Sequence, residues 1–216
     1  MTKPEMWKAE FEQIWRSSIK RNGSDLLFRK LEETDFFTAP ASTKHHLACE
    51  GGLCRHSINV YRRLEKFLHD EYGEMCQFTY SSETIAIVAL LHDICKINTY
   101  KVGWKNQKTY DAEKVANADK WQVKHDAAGD FIWETVPTYE YDEKFIYGHG
   151  EKSVYMIRDF MGLSIEEAQA IRFHMSGWQD GDAKWAGSCY EQNPLAFYLH
   201  VADEAATFLD ERSDAE

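Results

Sequence analysis

The chain has 216 residues, 44% hydrophobic and 28% charged, an ordinary balance for a globular protein able to enclose a buried site. Its net charge of -11 disfavours a duplex DNA or RNA footprint, which needs Lys and Arg to displace counterions. A small anionic substrate remains open to it where a metal supplies local positive charge. The opening Met1–Trp7 has no secretory character, and no apolar run reaches the roughly 18–20 residues of a membrane span. Cys49, Cys54, Cys76, Cys95 and Cys189 form no C-x-x-C pair, and their odd number points to reduced thiols in a cytoplasmic setting.

Taken in order, the chain reads as mostly helical and as one domain over 1–216, with 1–40 as an N-terminal helical extension. Trp7, Phe11, Ile14 and Trp15 predict an amphipathic helix over 4–20. A short helix follows Ser24, and 34–52 is irregular up to Gly51 and Gly52. A helix over 53–70 carries an inward stripe of Leu53, His56, Val60, Leu64 and Phe67. Ser81 or Ser82 caps the next, predicted over 83–96, with Ile85, Val88 and His92 on one face and Asp93 beside it.

Residues 98–148 alternate aromatic and polar side chains and predict one or two β-hairpins, with a turn at Pro137 and a helical piece near 112–127. So long a connection is a candidate for shaping a pocket. Helices resume over 149–162 and, from the capping box Ser164–Glu167, to about 175. Residues 178–190 read as a loop. Asn193 and Pro194 then open a helix whose stripe is Leu195, Leu199, Ala202, Ala206 and Leu209, flanked by His200 and Asp203.

Six polar residues intrude on inner faces: His56, His92, Asp93, His149, His174 and Asp203. Any one of these histidines alone reads best as a hydrogen-bonded core residue. Six together need one common cause. Imidazoles and carboxylates without thiolates suit Mn, Fe, Co, Ni or Zn rather than a cysteine-rich structural zinc cage. Two ions about 3.5–4 Å apart need a bridging carboxylate, and Asp93 is placed for that role.

This ordered set resembles the HD superfamily of metal-dependent phosphohydrolases, whose pattern is H…HD…H…H…D. Over residues 45–210, Gly51–Ser57 is similar to the family's GGL-x-x-H-[ST] entry, and His92–Lys96 to H-D-[IL]-G-K, with Cys95 where glycine is usual. Gly148–Ser153 resembles the GH element of the branch containing bacterial 3′–5′ exoribonuclease HD domains.

The resemblance implies an all-α HD-domain helical bundle with a small β-hairpin insertion over 98–148. It implies two divalent ions, drawn from Mn, Fe, Ni, Co, Zn or Mg. The first would be held by His56, His92, Asp93 and Asp203, and the second by Asp93, His149 and His174. A hydroxide bridging them would attack a phosphate mono- or diester of a nucleotide or short oligonucleotide. Lys96 would touch a phosphate oxygen or help the leaving group, His46 would line the substrate pocket, and His200 would orient a ligand from behind.

Some HD-fold proteins are instead di-iron oxygenases with the same ligands and a lysine in this place, which makes that chemistry the alternative. A non-catalytic binding module is disfavoured by the intact set. The remaining candidates have plainer readings. His45, His69 and His125 read as solvated, Trp178 and Trp185 as packing rather than base-stacking residues, and Lys152 and Arg172 as surface cations.

Overall fold

A computed structural model describes residues 1–176 and 183–212. The chain runs α1 (Lys3–Ser18), α2 (Ser24–Glu33), α3 (Gly52–Tyr72), α4 (Cys76–Thr79), α5 (Ser82–Leu91), β1 (Tyr100–Thr109), α6 (Ala112–Asn117), β2 (Lys124–Asp126), β3 (Gly129–Tyr141), α7 (His149–Arg158), α8 (Ile165–Phe173), α9 (Ala183–Gln192) and α10 (Pro194–Ala205). It is mostly helical, with a small three-stranded antiparallel sheet in the order β1-β3-β2.

The centre of the bundle is α5. Ile85–Leu91 is buried on every side, between α3, α8 and α1. α10 closes the bundle against α3 and α8. The N-terminal helices share this core: Phe11 and Trp15 of α1 pack with Phe28, Phe36 and Phe37 in edge-on and stacked pairs. Each ring taken fully out of water is worth about 1.5–3 kcal/mol. α1 begins at a complete capping box in which the Glu5 N–H donates to Thr2 Oγ1 and the Thr2 N–H donates to the Glu5 carboxylate.

Three glycines hold the site elements in place. Gly51 has φ +75°, and a Cβ at Gly52 would lie 2.1 Å from the Leu47 carbonyl oxygen, so only this pair lets α3 start against the 34–51 segment. At Gly150 a Cβ would come 2.2 Å from the Arg172 oxygen, so α7 crosses the end of α8 in direct backbone contact.

The capping box at Ser164 is present and extends into a buried ion pair. Glu167 is fully buried and accepts from the Ser164 N–H, from Thr84 Oγ1, and from both terminal nitrogens of Arg21 at 2.6 and 2.9 Å. Burial opposes its charge, but Arg21 and the other donors outweigh it and hold the carboxyl below its ordinary 4.5. Glu167→Ala is expected to destabilise the fold by about 3 kcal/mol, the lower end for breaking a buried pair because Arg21 also reaches Glu83. With a depressed folded pKa, this contribution is complete above the unfolded value and disappears as pH falls through the folded one. Urea unfolding at neutral and acid pH should therefore show the gap between wild type and variant closing in acid.

Several elements differ from the sequence reading. The helix predicted over 83–96 stops at Leu91, because His92 Nδ1–H donates to the Ala89 carbonyl oxygen and Asp93 leaves helical geometry at φ −107°, ψ 16° before a 3₁₀ turn over Ile94–Lys96. Pro137 is inside β3, opposite Trp104. β2 pairs with β3 only as far as Phe131, so the open edge accepts a residue without an N–H. The helical piece is confined to α6, and part of the predicted 178–190 loop is α9. Asn193 precedes α10 but does not cap it, since its Nδ2 donates to the Glu166 oxygen. Leu209, expected inside, is 66% exposed. The chain winds as a π turn over Ala206–Asp210 and rotates that position outward. No helix among the described residues is long and apolar enough to cross a membrane.

Candidate metal centre

The six sequence-predicted residues come together. His56 is on the second turn of α3, His92 and Asp93 follow α5, His149 opens α7, His174 follows α8 and Asp203 sits on α10. His56, His92, Asp93, His174 and Asp203 are buried. Their ligand atoms form overlapping groups: His56, His92 and Asp203; His92, Asp93 and His174; Asp93, Cys95 and His149. Buried His, Asp and Cys groups thus lie close enough to one another to hold metal ions.

The two oxygens of Asp93 face different partners. Oδ1 lies 2.6 Å from His149 Nε2 and 3.5 Å from His174 Nε2. Oδ2 lies 3.6 Å from both His56 Nε2 and His92 Nε2, and 2.6 Å from Lys96 Nζ. On the other side of His56, Asp203 Oδ1 is 3.1 Å from Nε2. One carboxylate therefore stands between two sets of imidazoles.

Three of the four imidazoles are oriented from behind. A carbonyl oxygen only accepts, so His92 Nδ1–H must donate to Ala89 at 2.8 Å and His174 Nδ1–H to Ile171 at 2.7 Å. Both Nε2 atoms are then lone-pair donors aimed into the cluster. His174 Nε2 is buried and has no hydrogen-bond partner. An unpaired ring nitrogen there costs about 1–3 kcal/mol, which a cation offsets.

The charges are set differently across the cluster. Burial opposes protonation of His56, yet Glu211 and Asp203 outweigh it and push the ring up to about 10. Burial likewise opposes His149, but Cys95 and Asp93 push it up to about 10. His92 is pushed down to about 4, chiefly by burial. Despite burial, Lys96 and the histidines hold Asp93 well below the usual carboxylate range. A cation entering the cluster must displace the protons on His56 and His149. Calorimetry at pH 7 in buffers of different ionisation enthalpy should show about two protons released for a fully loaded centre, and fewer as pH rises. Uptake without proton release would contradict this charge arrangement.

His56, Asp93, His149 and Asp203 open onto a cavity of about 1030 Å³ also walled by His46, Lys96, Tyr100, Tyr141, Met175 and Phe208. The two tyrosines stand at the base of the β1–β3 ribbon and line the cavity. His46 is in the wall, its ring centroid 5.1 Å from that of His56, and burial, with His56 and Lys96, lowers it to about 4. Lys96 lines the cavity while donating to the Ala41 carbonyl at 2.8 Å.

Other readings are adjusted by the structure. His200 donates to the backbone oxygen of His174 and stacks on Tyr190; it supports the segment carrying a candidate ligand and does not touch the ring. Lys152 is not a surface cation. It is buried, 2.5 Å from Glu143, in the wall of an adjoining polar cavity of about 180 Å³. Arg172 pairs with Glu151. His45, His69 and His125 are exposed. Trp185 is exposed and lines a groove apart from the cavity, and Trp178 lies outside the described residues.

Two residues escape the sequence reading. Glu211 is fully buried and accepts from His56 Nδ1 at 3.0 and 3.2 Å, and Asn59 Nδ2 donates to the same carboxylate at 3.0 Å. Asn59, a buried polar residue one turn from His56 on α3, is a sequence signal that points to this partner.

Comparison of the chain with protein families, with curated proteins and with solved structures finds no significant match.

Proposed function

We propose that the chain is a metal-dependent phosphohydrolase of the HD type, with two divalent ions shared by His56, His92, Asp93, His149, His174 and Asp203. It would cleave a phosphate mono- or diester of a nucleotide or short oligonucleotide. The observation that carries the reading is the convergence of oriented Nε2 atoms on both oxygens of one carboxylate, with His174 Nε2 left without a hydrogen-bond partner. Divalent ions held there supply Lewis acidity for water activation and offset charge developing on phosphoryl oxygens.

The remaining roles belong to the chain's own side chains. Asp93 presents one oxygen to each half of the cluster and sets the spacing between them. Lys96 uses two of its three N–H donors on Asp93 and Ala41, leaving the third for a phosphoryl oxygen in the cavity it lines. Kept neutral, His46 offers a hydrogen-bonding wall rather than a second fixed charge. Tyr100 and Tyr141 give the cavity aromatic faces, and its volume accommodates a mononucleotide or the end of a short strand. The -11 net charge supports a small substrate over duplex nucleic acid.

The test is elemental analysis of purified protein, followed by a screen of nucleotides, cyclic dinucleotides and short oligonucleotides with Mn, Mg, Ni and Co. Metal-stimulated release of phosphate or of a nucleotide is the expected result. A coloured iron centre that consumes O₂ and leaves phosphoesters intact would replace the hydrolase reading with the oxygenase one.

A further inference from the structure

Four acidic side chains are buried among the described residues: Asp93, Asp203, Glu167 and Glu211. The first two belong to the proposed ligand set, and Arg21 neutralises Glu167. Among the described residues, no Lys or Arg side chain pairs with Glu211. It faces the back of His56 and the amide of Asn59.

It arrives there through the winding of the C-terminal segment. Asp203 and Glu211 are eight residues apart, which in an unbroken α-helix is about 800°, some 80° past alignment. The π turn at Ala206–Asp210 winds more slowly and takes up that excess. Asp203 and Glu211 therefore approach His56 from the same strand of chain, one at Nε2 and one at Nδ1. Arg63 pairs with Asp210 and fastens the turn to α3.

His56 is thus supported differently from His92 and His174, whose Nδ1–H groups meet neutral carbonyl oxygens. A carboxylate behind Nδ1 fixes both the tautomer and the ring rotation, and it makes Nε2 a stronger donor.

We infer that Glu211 is a positioning residue that sets cation affinity in the half of the centre built on His56, His92 and Asp203, and has little influence on the half built on His149 and His174. This rests on the metal-binding reading above. It would make the two ions unequal: one would be held by a histidine with a carboxylate behind it, and the other by His174, whose ring is held by a backbone carbonyl.

The test is calorimetric titration of Co(II) into the metal-free full chain as wild type, Glu211→Gln and Glu211→Ala, with a thermal melt of each metal-free protein. Wild type is expected to bind in two steps. In Glu211→Ala one step weakens 10–100-fold and the other stays as it was. Glu211→Gln falls between, because its amide oxygen still accepts the Nδ1–H without the charge. Two unchanged steps in both variants, or two steps that weaken together, would overturn the inference while leaving the metal centre standing. A wild-type protein that takes up no Co(II) would overturn both.

Discussion

Asp93→Ala is expected to lose bound metal and to lower turnover by roughly 10³ or more. Its side chain contacts both halves of the cluster, His149 and His174 through one oxygen and His56 and His92 through the other. Charge stabilisation by bound cations is worth several kcal/mol, and about 4 kcal/mol of it corresponds to a fall of roughly 10³. Asp93→Asn separates charge from shape: it keeps the volume beside Lys96 and removes one negative charge, and it should follow the alanine variant in metal content. The measurement is metal per chain alongside steady-state rate. Full metal content with wild-type hydrolysis in either variant would refute the bridging role.

Lys96→Ala has the next largest expected effect, with a different signature. Lys96 is bonded to Asp93 Oδ2 and to the Ala41 oxygen, and Asp93 raises its pKa against the opposing effect of burial. It therefore stays charged at the edge of the cavity. Losing a preorganised donor to developing charge typically costs 10²–10³ in kcat. Metal content should hold, because all six ligand side chains remain, and kcat should fall more than KM rises. A variant stripped of metal or unfolded would make Lys96 a structural counter-ion to Asp93.

The clustered polar positions were legible because each intrusion occupied a slot that helical periodicity reserves for the core. His56 stands in the stripe of Leu53, Val60 and Leu64, and all four are buried. Asp203 adjoins the stripe of Leu199 and Ala202 in the same way. Periodicity failed where the winding departs from 3.6 residues per turn. It put Leu209 inside and passed over Glu211, and the π turn reverses the two. It also ran α5 through to Lys96, whereas the break after Leu91 is what turns Asp93 toward both sets of histidines.

The β1–β3 ribbon was legible as strand but not in extent. Pro137 signals a turn locally, and only the short reach of β2 leaves it a place inside a strand. Lys152 looked like an ordinary helix-surface cation, because its partner Glu143 comes from the end of the ribbon segment, a placement that no local pattern encodes.

The measurement that bears most directly on the central claim is anomalous diffraction from crystals of the metal-loaded chain, collected at the absorption edge of the bound element. Two peaks are expected, one among His56, His92, Asp93 and Asp203 and the other among Asp93, His149 and His174. Crystals soaked in excess Mn(II) or Co(II) that show no anomalous density between these side chains would contradict the account.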